Sequence, residues 1–107
     1  MEQNYQVILI DNDLLIRKSW ELQAKKENVN LTTFSSIQDF LDNSDKFSHS
    51  VTIYIDSDLD DGILGEIEAE KIFNLGFKKL YLASGKSFTT KELPHYILSA
   101  ESKRPPY

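Results

Sequence analysis

Three apolar, strand-like runs of the chain each end in side chains that could do chemistry. Asp11 follows the run at residues 7–10, Asp56 ends the run that begins at residue 51, and Ser84 follows the run at residues 80–83. If these runs are parallel strands of one sheet, their ends meet at the carboxyl edge, where open α/β sheets bind their ligands. Carboxylates gathered beside a hydroxyl suit an aspartate that accepts a phosphoryl group next to a divalent cation.

The composition indicates a single small domain covering residues 1–107. The chain is 40% hydrophobic, enough for one core, and no apolar run approaches the length of a membrane span. Residues 1–5 are polar, unlike a signal peptide, so we expect a cytoplasmic protein with no membrane contact. The absence of cysteine excludes disulfides and thiol catalysis. Two histidines argue against a structural zinc site, and a net charge of -5 argues against nucleic-acid binding.

Strand-like and helix-like patterns alternate along the chain. Strands are predicted at residues 6–11, 30–34, 51–55, 79–83 and 96–99. Helices are predicted from residue 13 or 14 to 27, after Ser35-Ser36, and over 63–75 with Gly76 as C-cap, with one further turn at 89–93. This alternation predicts an α/β fold, a flavodoxin-like open sheet of five parallel strands in the order 2-1-3-4-5. We expect a shortened fourth helix and no fifth helix.

The chain resembles the receiver domain of two-component response regulators over nearly its whole length. The matching segments are Ile10-Asp11-Asn12, Ile53-Tyr54-Ile55-Asp56, Leu82-Ala83-Ser84-Gly85 and Lys103-Arg104-Pro105-Pro106. With Gly65-Glu66 added, the pattern is similar to a divergent subset of receivers attached to bacterial hybrid histidine kinases. The resemblance implies a phosphorelay domain whose partner is a histidine kinase or a phosphotransfer domain.

The resemblance also implies a role for each matching residue. Asp56 would accept the phosphoryl group, Ser84 would bond a phosphate oxygen, and Lys103 would pair with the phosphate as a point charge. The expected cofactor is Mg²⁺, a cation that prefers oxygen ligands. Its ligands would be Asp11, Asn12, Asp56 and the backbone carbonyl of Asp58.

Ordinary structural interpretations stand beside these roles. Asp56 and Ser84 could be turn residues after strands, and Lys103 could be a solvated lysine of the tail. For Asp13 a helix N-cap is favoured over metal ligation. The acidic segment 56–62 does not fit a calcium-binding EF-hand loop, because its sixth and twelfth positions hold Asp61 and Ile67.

Several positions depart from the usual receiver pattern. Asn12 stands where a second acid is common and brings no charge to the metal, and Arg104 separates Lys103 from the first proline. Ala100 stands at the usual position of a switch aromatic. Without a fifth helix, strand 5 and one side of strand 1 are expected to be poorly covered, which leaves a face for a possible protein partner.

Three functions remain open at this point. The first is the phosphoacceptor receiver. The second is a pseudo-receiver that keeps the fold and acts as a phosphorylation-independent binding module, which Asn12, Ala100 and the expected lack of a fifth helix favour. The third is a haloacid-dehalogenase-like phosphatase, whose opening motif fits Asp56-Ser57-Asp58, although such enzymes place it on an early strand and need a later acidic pair.

Overall fold

The computed structural model describes residues 6–59, 64–85 and 92–107, and its centre is a sheet of five parallel strands. The strands are β1 (Gln6–Ile10), β2 (Asn30–Phe34), β3 (Thr52–Asp56), β4 (Lys79–Ala83) and β5 (Ser99–Glu101). They lie in the order β2-β1-β3-β4-β5, and every neighbouring pair is parallel. The predicted flavodoxin-like α/β fold is therefore confirmed.

The helices of the described residues are α1 (Leu14–Glu27), α2 (Ile37–Asp42) and α3 (Gly65–Asn74), with a 3₁₀ turn at Ser44–Lys46. Asp13 caps α1 as predicted, because its side chain accepts a hydrogen bond from the backbone N–H of Leu15 at 2.9 Å. Ser36 caps α2 in the same way. The predicted turn at 89–93 falls largely on residues outside the described ranges.

The two faces of the sheet bury different sets of side chains. Alternate residues of a strand point to opposite faces, so Ile8 and Ile10 pack with α2 and α3, whereas Val7 and Leu9 pack against Trp20 of α1. All four of these β1 side chains are fully buried. The expectation that one side of strand 1 is poorly covered is therefore wrong.

Strand β5 lies later in the chain than its pattern predicts. Residues 96–99 were the predicted strand, but Ser99–Glu101 pairs with β4 and Tyr96 lies before it. Tyr96 is buried, and its hydroxyl donates to the backbone carbonyl of Glu66 in α3 at 2.7 Å. A burial pattern alone cannot distinguish a tyrosine buried in a strand from one buried in the connection that leads to it.

No helix in the described part of the chain is long and apolar enough to cross a membrane.

Gly65 fixes where α3 begins relative to the end of β3. Its N–H donates to the carbonyl of Ser57 at 2.9 Å, and a Cβ at this position would lie 1.8 Å from the carbonyl oxygen of Asp56. Only a residue without a side chain allows α3 to start against the backbone of Asp56. Helix α3 thus begins later than the predicted residue 63, which lies outside the described residues.

We expect Gly65→Ala to lower the free energy of unfolding by about 3 kcal/mol, because backbone must move to admit the methyl group. Gly85→Ala is the matched control, since a Cβ there meets nothing within 4 Å. Urea unfolding of both variants measures the difference. Equal stabilities of the two variants would contradict the close approach of Gly65 to Asp56.

Candidate functional site

The strand register brings three of the predicted site residues to one edge of the sheet. Ile10 pairs with Ile55, so Asp11 and Asp56 are the next residues of adjacent strands, and Asp56 pairs with Ala83, directly before Ser84. Asp11, Asp56 and Ser84 are all buried. The carboxyl edge of β1, β3 and β4 therefore carries two carboxylates and a hydroxyl, as the sequence predicts.

Lys103 reaches this edge from the tail that follows β5. Its Nζ lies 2.9 Å from Oδ2 of Asp11 and 2.8 Å from Oδ1 of Asp56, and its side chain is only 27% exposed. One ammonium thus joins two buried carboxylates on different strands through charge-assisted hydrogen bonds. The alternative that Lys103 is a solvated tail residue is wrong.

Local backbone hydrogen bonds orient the two carboxylates. Asp11 Oδ1 accepts the N–H of Asp13 at 2.8 Å, and Asp56 Oδ1 accepts the N–H of Asp58 at 3.2 Å. Both are Asx-type turns, in which a side chain binds the backbone two residues later. Arg17 of α1 adds a bond from Nη1 to the backbone carbonyl of Asp11 at 2.7 Å. Each carboxylate is therefore held by its own turn as well as by Lys103.

Burial and charge act against each other at this site. Burial raises the pKa of Asp56 above its ordinary value of 3.8, the hydrogen bond from Lys103 lowers it in part, and the nearby charge of Asp11 raises it further. Burial also disfavours the charged form of Lys103, but the hydrogen bonds to Asp56 and Asp11 outweigh this and raise its pKa above 10.5. The ammonium is therefore charged throughout the physiological range.

The remaining predicted ligands lie around this core. Asn12 is half-buried next to Asp11, and the side chain of Asp58 is exposed, while Asp58 pairs with Leu64 in an isolated antiparallel bridge. Ser84 is fixed at the strand end by its N–H, which donates to the carbonyl of Glu101 at 2.9 Å. Ser57, fully buried after Asp56, donates its hydroxyl to Glu66 Oε1 at 3.0 Å and ties the loop to α3.

The two carboxylates could serve only a hard divalent cation that keeps much of its water. Asp11 and Asp56 offer carboxylate oxygens close enough to share one ammonium, and Mg²⁺ commonly uses one or two carboxylates plus water and phosphate. Within the described ranges no group of three or more histidine, aspartate or glutamate residues could hold a metal. A cation at this edge would therefore need water, phosphate or the uncharged oxygens predicted at Asn12 and Asp58.

Sequence reasoning missed three residues that hold the site together. Arg17 binds the backbone of Asp11, Trp20 donates its indole N–H to the backbone carbonyl of Lys103 at 2.8 Å, and Tyr107 donates its hydroxyl to the backbone carbonyl of Trp20 at 2.7 Å. Trp20 and Lys103 are 83 positions apart in the chain. No local pattern links such distant residues, and in sequence Trp20 is only one of several apolar positions of α1.

Comparisons of the chain with protein-family models, with curated proteins and with solved structures give no significant match. The flavodoxin-like topology and the geometry of the carboxyl edge therefore carry the functional argument.

We expect Asp56→Asn to stabilise the fold at neutral pH. Because the pKa of Asp56 is raised in the folded state, the folded protein holds this proton more tightly than the unfolded chain, and ionisation costs stability. The contribution of Asp56 to stability should fall as pH rises from 3.8 through its raised pKa. The advantage of the variant should therefore grow over that window and then stay constant.

Urea unfolding of wild type and Asp56→Asn, compared between about pH 4 and 8, measures this difference. Asp45→Asn, at an exposed position of the 3₁₀ turn, is the control and should change stability little. A variant less stable than the wild type at neutral pH would show that the bond to Lys103 outweighs the burial of Asp56.

Proposed function

We propose that the chain is a phosphorelay receiver that accepts a phosphoryl group on Asp56 from the phosphohistidine of a histidine kinase or a phosphotransfer domain. The observation that carries the proposal is the ammonium of Lys103 shared between the buried carboxylates of Asp11 and Asp56. The finer proposal, a receiver of the kind attached to bacterial hybrid histidine kinases, rests on the motifs around Asp56 and Lys103 alone. A cytoplasmic location belongs to the same proposal.

The reaction requires positioning and charge neutralisation more than covalent help. A carboxylate oxygen of Asp56 attacks phosphorus, the P–N bond to the donor imidazole breaks, and its electron pair returns to that nitrogen. The imidazole leaves as a neutral ring when its other nitrogen already carries a proton, and otherwise takes a proton from solvent. The product is an acyl phosphate on Asp56. Lys103, already bonded to Asp56, is placed to pair with the incoming phosphate oxygens.

The other residues of the edge complete the charge balance. Asp11, Asp56 and Lys103 together carry one net negative charge, and the phosphoryl group adds more. Mg²⁺ held by Asp11 and Asp56 would supply the missing positive charge and orient the phosphate. Ser84, buried at the end of β4, offers a hydroxyl on the far side of β3 from Asp11.

The start of α1 presents an exposed apolar surface on which a protein that carries the phosphohistidine can dock. Leu14 and Leu15 open α1, directly after the segment that carries Asp11, and they are 55% and 78% exposed. Exposed leucines beside a buried acceptor suit the docking of a protein donor, because apolar area is removed from water only when a partner covers it. A small phosphodonor needs no such surface.

The first test of the proposed function is intact mass after incubation with acetyl phosphate and Mg²⁺. We expect the wild-type chain to gain one phosphoryl group, and we expect no gain with EDTA or in Asp56→Asn, which keeps the shape of the side chain but lacks the nucleophile. A receiver of known activity, labelled in parallel, controls the conditions.

The same experiment separates the alternatives. The pseudo-receiver is favoured by the uncharged Asn12 at the second ligand position and by Ala100 at the usual position of a switch aromatic. No labelling of the wild type beside a labelled control would decide for it. Continuous release of phosphate from a small phosphate ester would instead indicate the phosphatase. Labelling that persists in Asp56→Asn would place the acceptor elsewhere.

The docking surface gives a further prediction. Leu15→Asp should slow phosphoryl transfer from a phosphorylated phosphotransfer domain by about tenfold, because a charge replaces an apolar contact, while uptake from acetyl phosphate stays unchanged. Leu98→Asp is the matched control: Leu98 is 56% exposed but precedes β5, away from the carboxyl edge. Equal transfer rates for the two variants would exclude docking on the start of α1.

A further inference from the structure

Lys103 is held at its backbone as well as at its ammonium. Strand β5 ends at Glu101, and the described residues after it form neither helix nor strand, so no ladder of backbone bonds fixes Lys103. Instead the indole N–H of Trp20 donates to the carbonyl of Lys103 at 2.8 Å. Trp20 is fully buried, so the donor of this bond is shielded from water, whereas its acceptor belongs to a half-buried residue.

The tail returns to Trp20 four residues later. Tyr107 donates its hydroxyl to the backbone carbonyl of Trp20 at 2.7 Å, and the two rings meet edge to face with centroids 5.9 Å apart. Tyr54 of β3 packs against the indole from the sheet side at 5.4 Å. Trp20 is therefore fixed between the sheet and the tail, with its one donor aimed at Lys103.

A lysine side chain needs such support to act as a placed charge. It has four flexible carbons, and ordering them costs conformational entropy that a fixed backbone reduces. The carbonyl of Lys103 is tied to α1, and its Nζ bridges Asp11 of the β1 edge and Asp56 of the β3 edge. The backbone carbonyl and the ammonium of Lys103 are thus both held by residues that lie outside the tail.

We propose that Trp20 is a positioning residue that places the ammonium of Lys103 between Asp11 and Asp56, with Tyr107 as its brace. Placement of Lys103 follows from the contacts alone. Its consequence, faster phosphoryl transfer to Asp56, rests on the proposed function. Trp20 touches none of the reacting atoms and acts only through Lys103.

The test compares Trp20→Phe, which keeps an aromatic ring and removes the donor, with Tyr107→Phe, which removes only the hydroxyl. Phe40→Leu is the control, because Phe40 is fully buried in the cluster on the opposite face of the sheet. The first readout is the NMR order parameter of the Lys103 Cε–H bonds in the whole chain labelled with ¹³C-lysine. The second is the rate of phosphoryl uptake from acetyl phosphate with Mg²⁺.

We expect Trp20→Phe to lower the order of Lys103 and to slow uptake about tenfold, the factor that one lost hydrogen bond corresponds to. Tyr107→Phe should also lower the order parameter of Lys103 and the rate of uptake. Phe40→Leu should leave the order parameter of Lys103 unchanged, even if the melting temperature of this variant falls. Unchanged order in Trp20→Phe, or an equal loss in Phe40→Leu, would overturn the proposal.

The two readouts distinguish failure of the proposed function from failure of the role proposed for Trp20. If the wild type takes up no phosphoryl group, the proposed function is wrong, and the order of Lys103 still tests its placement by Trp20. If order falls in Trp20→Phe while uptake stays at the wild-type rate, Trp20 is not a positioning residue for the transfer.

Discussion

A single ammonium shared by two buried carboxylates is the constraint on which this structure depends. Two negative charges at the edge of a sheet repel each other and lose their hydration, so they need a compensating charge close by. Lys103 provides it, and to do so the tail beyond β5 must cross to the end of β1 and β3. This contact joins the tail to the ends of β1 and β3, and the bond from Trp20 joins the same lysine to α1.

The same contact does not fully offset the cost of burying Asp56. The raised pKa of Asp56 shows that burial disfavours its charge even with Lys103 bonded to it. With both carboxylates ionised, one net negative charge remains on the three groups; under the proposed function, a divalent cation or a rearranged lysine would relieve it. Functional carboxylates commonly sit in such incompletely balanced surroundings, where stability is given up for reactivity.

The loop after Asp56 shows how backbone geometry fixes the position of this residue. Gly65 lets α3 start against the carbonyl of Asp56, Ser57 bonds Glu66, and Tyr96 bonds the carbonyl of Glu66 from the other side. Tyr96 is not on β5, so it does not replace the aromatic missing at Ala100. It nevertheless links the segment before β5 to the start of α3, and so, through Glu66, to Ser57.

The sequence by itself determined the order of elements and the residues of the edge. Alternating apolar runs and caps such as Asp13 are local signals, and parallel topology then brings Asp11, Asp56 and Ser84 together. Only the tertiary structure decided that Ser99–Glu101 forms β5, that Trp20 and Tyr107 cover the α1 face, and that Lys103 bridges both aspartates. These contacts join residues far apart in the chain, and their energies depend on burial and direction, which no local pattern encodes.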